Sequence, residues 1–119
     1  MFQTILTNLI ARVAGARWAM IVGVDGVLLE ADCEEMHPKG EVLAAEYAAF
    51  YRSCRKVMVD TEGGDLQGTV LTTDRGKTLF QMLSSDYFLL LNLAPQANAG
   101  KALFEITKTQ ETLQEELVY

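Results

Sequence analysis

Residue types able to do chemistry are few in this sequence, and their spacing limits what they could do. The single histidine, His37, stands in the polar run from Asp32 to Lys39, directly before Pro38. An imidazole there could serve as a general base or a ligand, but no second histidine or cysteine stands at a metal-ligand spacing from it. Asp32, Glu34 and Glu35 gather carboxylates in the same run without the alternate-position ligands and closing bidentate residue of a calcium loop. Ser84-Ser85-Asp86 sets hydroxyls beside an acid with no base to activate them, a composition that turns use. Gly63-Gly64 and Gly100-Lys101 lack the other glycines and the Ser or Thr of a phosphate loop. Cys33 and Cys54 are the only cysteines and have no CxxC spacing, so both are expected as reduced thiols in a core or an interface. The expectation is a non-enzyme with no catalytic residue, no metal and no cofactor.

The remaining candidates are cations. Arg52, Arg55 and Lys56 cluster in a chain of net charge -6 and pI near 4.7. They fit contacts to an acidic partner surface, or simply a solvated helix face. An arginine supplied in trans to a nucleotide-hydrolysing partner is a further role, but no loop-borne arginine stands out for it. The acidic balance argues against nucleic-acid binding, which needs a surplus of Lys and Arg on one face. No apolar run reaches membrane-spanning length, Tyr87 to Leu91 being strand length. The start MFQTILTNLIARVAG has no early basic region followed by a continuous apolar block, so a cytoplasmic protein without membrane insertion is expected.

The stretch that carries those cations, Gly40 to Val59, is the longest helix candidate. At about 100° per residue, Val57, Phe50, Leu43, Cys54, Tyr47, Met58, Tyr51 and Ala44 fall side by side over an uncharged arc of roughly 140°. A helix covering one sheet needs a stripe only a little wider than about 100°. The remaining arc mixes Arg52, Arg55, Lys56 and Glu46 with Ala45, Ala48, Ala49 and Val59. Either part of the apolar arc meets a second copy of the chain, or the helix is sunk deep in its own domain.

Around it the periodicities alternate. Phe2, Ile5, Leu6, Leu9 and Val13 step helically up to Gly15. Trp18 to Val24 is apolar throughout, as in a strand covered on both faces. Asp25-Gly26 then predicts a tight hairpin with positive φ at both central positions, leading into Val27 to Ala31. After TEGGD come three strands, at Leu66 to Thr73, Lys77 to Leu83 and Tyr87 to Leu93. Asn98 is a plausible N-cap for a last helix whose seam is read as Leu103, Ile106, Gln110, Leu113 and Leu117. The length suits one domain over residues 1–119. Its order α-β-β-α-β-β-β-α predicts an α+β, three-layer α/β/α sandwich on an antiparallel sheet. Polar, Thr-rich Leu66 to Thr73 fits an edge that dimerisation would cover.

In its motifs and their order the chain resembles the Roadblock/dynein light chain family. The first helix ending in VAGAR, the strand and turn AMIVGVDGVLLEA, the helix EVLAAEYAAFYRS, the strand LQGTVLTT, the pair GKTLFQML and DYFLLLNL, and the closing NAGKALFEI carry the likeness. The resemblance implies a five-stranded antiparallel sheet with the central helix on one face and both terminal helices on the other. It also implies homodimers in which central helices pair antiparallel and third strands join. On this chain Leu43, Tyr47, Phe50, Tyr51, Cys54 and Met58 would form or underlie the helix contact, and Thr69, Leu71 and Thr73 the joining edge. Family members act as scaffolds and regulators of small Ras-like GTPases or as light chains of motor complexes. Free-standing bacterial members resemble a gliding-motility regulator that activates its partner GTPase.

Three functions follow from this reading. A homodimer could bind a small GTPase and modulate its nucleotide cycle, with Arg52, Arg55 and Lys56 as partner contacts. A structural adaptor would leave hydrolysis unchanged. A small-molecule sensor module would enclose a ligand within the three-layer fold.

Overall fold

Eight elements follow one another in the expected order: α1 (Phe2–Arg12), β1 (Ala16–Gly23), β2 (Leu28–Asp32), α2 (Gly40–Asp60), β3 (Gly68–Thr73), β4 (Gly76–Met82), β5 (Tyr87–Leu93) and α3 (Ala99–Leu117). The computed structural model describes residues 2–32 and 40–117. Cys33, Glu34, Glu35 and His37, weighed above as chemistry, lie outside the described residues.

The strands form one sheet in the order β2-β1-β5-β4-β3, with every neighbouring pair antiparallel. β5 is the middle strand, and Phe88, Leu89, Leu90 and Leu91 are all fully buried, which is why its sequence shows no polar alternation. β3 is an edge, as its threonines suggested, and four of its six residues are exposed. The turn after β1 is wider than a two-residue hairpin. Gly23 N–H donates to Val27 O at 2.8 Å, Gly26 N–H donates to Gly23 O at 2.9 Å, and only Gly26 takes positive φ, at 94°. The Asp25 carboxylate accepts from Val27 N–H at 3.1 Å, so its side chain braces the turn from ordinary backbone geometry.

The two faces of the sheet carry separate cores. On one, α1 and α3 pack Leu6, Leu9, Val13, Ala102, Ile106 and Leu113 over Ala19, Ile21, Leu79, Leu89 and Leu91. On the other, α2 covers Met20, Val22, Phe80, Phe88 and Leu90. The α3 seam differs from the expected one: Leu103 is 43% exposed, while Ala102, Ile106, Thr109 and Leu113 face inward. Small Ala102 and Thr109 let α3 approach α1. On the opposite flank of α3, Gln110 and Gln114 donate amide hydrogens to Met82 O and Leu83 O, at 3.2 and 2.6 Å.

Ala48, read above as outer surface, is fully buried together with Ala44. The sheet-facing line of α2 therefore lies at one side of the apolar arc and not at its middle, because methyl side chains allow the helix to sit close. The helix closes with Gly63 N–H on Met58 O at 2.7 Å and Glu62 N–H on Val59 O at 3.3 Å. That pattern is a Schellman cap, and its left-handed position is held by Glu62 (φ 56°), where glycine is usual.

Candidate partner interface

α2 rests mainly on β1 and β2, and its shoulder hangs over the β4 and β3 half of the same face. An aromatic chain bridges the gap. Phe80 stacks on Phe88 with centroids 4.4 Å apart, and Tyr51 stacks on both at 6.1 and 6.2 Å. Phe50 then meets Phe80 edge-on at 6.3 Å, and Tyr47 meets Phe50 edge-on at 6.4 Å. The chain passes from buried to half-buried rings as it leaves the sheet. Phe80 and Phe88 are buried, while Tyr51, Phe50, Tyr47, Leu43, Cys54 and Met58 are half-buried. Val57 is 53% exposed on the same flank as Leu43, Phe50 and Cys54.

β3 continues this surface. Thr69 pairs with Phe80, Leu71 with Thr78 and Thr73 with Gly76. Cross-strand partners point to the same side, so Thr69, Leu71 and Thr73 lie on the α2 face and Val70, opposite Leu79, on the other. Leu71 and Val70 are 36% and 43% exposed. Met82 N–H donates to Gln67 O at 2.8 Å, which sets the phase of the ladder. Hydrogen-bonded and non-bonded pairs alternate, so Thr69, Leu71 and Thr73 turn their backbone groups toward β4. Gly68, Val70 and Thr72 turn theirs outward, away from the sheet. All nine side chains expected at a self-association surface thus share one face, whereas the backbone donors and acceptors of the edge belong to the residues between them. Side-chain alternation alone could not reveal that phase.

The three cations part company. Lys56 is 75% exposed and pairs with Asp60 one turn on. Arg52 Nη1 donates to Val24 O at 3.2 Å, which ties the helix to the turn after β1. Arg55 makes no hydrogen bond or ion pair among the described residues, and together with Arg52 it lines a groove of about 590 Å³ that also takes in Tyr51, Asp65, Ser84 and Ser85. Sequence reading placed the arginines on a solvated arc and missed this groove.

No group of three or more His, Cys, Asp or Glu that could hold a metal occurs among the described residues. Asp32 accepts a hydrogen bond from the Thr7 hydroxyl at 2.6 Å, so this member of the acidic run anchors α1 to β2. Ser84 Oγ accepts from Asp86 N–H at 3.2 Å, a turn contact.

Residues 2–93 match the Roadblock/LC7 domain. The chain belongs to the Roadblock/LC7 family. Among solved structures, the Roadblock/LC7 domain from Streptomyces avermitilis is similar over 98% of both chains, with 18% identity and a TM-score of 0.90. Myxococcus xanthus MglB is similar over 97% of this chain and 93% of its own, with 13% identity and a TM-score of 0.89. The gliding protein MglB from Thermus thermophilus is similar over 94% of this chain and 84% of its own, with 19% identity and a TM-score of 0.81. A comparison with curated proteins finds no match. Roadblock/LC7 proteins as a family generally serve as regulatory or adaptor scaffolds rather than catalysts. No described helix is long and apolar enough to cross a membrane.

Proposed function

We propose that the protein is a non-enzymatic homodimeric scaffold, formed by pairing of α2 and β3 with a second copy, that binds a small Ras-like GTPase and modulates its nucleotide cycle. The observation that carries this reading is that half-buried Leu43, Tyr47, Phe50 and Cys54 of α2 and the Thr69, Leu71 and Thr73 side chains of the uncovered edge strand lie on the same side of the sheet. Half-exposed aromatic side chains next to outward backbone groups are features that association covers at once, one by burial and the other by hydrogen bonding. The similarity to gliding-motility MglB proteins directs attention to a GTPase partner.

Two measurements test it. Sedimentation across a concentration series should give a particle of twice 13.2 kDa. Titration with the host's Ras-like GTPases, loaded with GDP or a GTP analogue, should show binding that favours one state. Binding with unchanged hydrolysis and exchange would make the protein an adaptor, and no binding in either state would end the GTPase reading.

A further inference from the structure

The strands and α2 differ in length, and the difference shapes the arginine groove. At about 1.5 Å per residue, the 21 residues of α2 span about 31 Å. The seven residues of β4 or β5 span about 23 Å. The last turns of α2 reach past the end of the sheet where the turn after β1, the β4–β5 turn and the approach to β3 come together, since Val24, Ser84, Ser85 and Leu66 line one groove with Arg55 and Val59. The sheet-facing line runs Ala44, Ala48, Tyr51, in steps of four and three, and its next step of four is Arg55. A position that would be apolar over the sheet is a guanidinium over the groove. Arg52 stands beside it, its head group steadied by Val24 O, and Ser84 and Ser85 form the facing wall.

The charge balance is unusual for this molecule. The sequence carries 16 carboxylate side chains against 10 Lys and Arg. The ion pairs among the described residues are nevertheless Lys56 with Asp60 and Lys108 with Glu105, and neither groove arginine takes part. Asp65 is the one carboxylate in the lining among the described residues. The negative end of the α2 dipole is partly tied up by its cap, through Gly63, Glu62 and the Thr61 hydroxyl on Val57 O at 2.7 Å. Val24, Val59, Leu66 and Met82 supply apolar wall between the polar groups, a mixture suited to a peptide segment more than to a bare ion.

We propose that this groove is a binding site for an oxyanion carried on a peptide segment of a protein partner, a carboxylate or a phosphoserine held by Arg55 and Arg52 with the Ser84 and Ser85 hydroxyls as further donors. Guanidinium forks match both groups in planar, two-point geometry. The inference deepens the partner-binding reading of Arg52 and Arg55 given above and rests on it, leaving aside Lys56, which pairs with Asp60 and is not in the groove lining; its test uses no GTPase, so a failure here leaves the dimer and GTPase reading standing.

The experiment is fluorescence anisotropy with two labelled hexapeptides, hexaglutamate and a single-phosphoserine peptide in a neutral background, titrated with the intact chain. At least one should bind with Kd below about 1 mM, and the one that binds identifies the source of the oxyanion. Arg55→Gln should weaken binding about tenfold or more. Lys56→Gln, the same charge change on the outer surface of the same turn, should weaken it less than about twofold. Arg55→Lys should recover only part of the loss, since the charge returns without the fork. Both arginines are exposed, so melting curves of the variants should overlay. The proposal is overturned if neither peptide binds below that limit, or if Lys56→Gln costs as much as Arg55→Gln, which would reduce the effect to net charge.

Discussion

One sheet carries two unlike faces. Against α1 and α3 it is closed by aliphatic side chains from two helices, and Leu6, Leu9, Ile21, Leu89 and Leu91 have no exposure at all. Against α2 it is closed by one helix whose fully buried side chains are the methyls of Ala44 and Ala48, with the larger residues left half-buried along its flank. The first face has the geometry of a finished core, in which close packing is already satisfied. The second has a buried aromatic centre and an unfinished rim. The contrast separates residues that stabilise the subunit from residues whose surroundings are incomplete within it, and it places the latter together with the open strand edge.

The strongest way to break this comparison is to delete atoms from the closed face. Leu91→Ala removes a fully buried side chain from the middle strand and should cost about 3 kcal/mol, a large part of the stability of a domain this size, measured by urea denaturation. Phe50→Asp, on the open flank, should cost the subunit much less. It should weaken self-association about a hundredfold in sedimentation, as loss of a central interface aromatic does. A similar loss of folded-state stability in both variants would mean that the two faces do the same job.

Proline scanning of β3 sharpens the same contrast at the backbone. Val70→Pro deletes an N–H that faces away from β4, so folding should be nearly unchanged while association falls about tenfold. Leu71→Pro deletes one that faces β4 and should destabilise the subunit itself. Equal thermal shifts for the two prolines would contradict the ladder phase inferred from the Met82 to Gln67 bond. The smallest effect is expected at the end of α2: Glu62→Gly should raise stability by about 1 kcal/mol by relieving the left-handed backbone, read as a small upward shift in melting temperature.

Where burial is two-sided, the sequence was easy to read. The uninterrupted apolar runs of β1 and β5, the helical stepping of α1 and the threonines of β3 each record a local environment directly. Reading weakened where a neighbour's shape decides. A helical wheel shows that Leu43 to Met58 form an arc but not which side of it meets the sheet, and the small size of Ala48, which drew it inward, looks neutral in sequence. Counting large aliphatics chose Leu103 for the α3 seam, whereas close approach of α1 selected Ala102 beside it. Glycine usually holds the left-handed position at a helix end, yet in α2 that position falls to Glu62, one residue before Gly63. Which side chains would share the α2 face was legible on resemblance. The outward backbone of Gly68, Val70 and Thr72 was not, because ladder phase depends on the partner strand. The arginine groove was hidden for a related reason: it exists only because a helix outruns its strands.

The outward groups of β3 also constrain geometry between copies. If the edge meets its own image about a twofold axis, antiparallel pairing of Gly68, Val70 and Thr72 is centred on the middle residue, with Val70 opposite itself and Gly68 opposite Thr72. A residue on that axis is present twice at one point, so a single ionised side chain introduced there would face a like charge contributed by the same gene, and one substitution would act with the force of two.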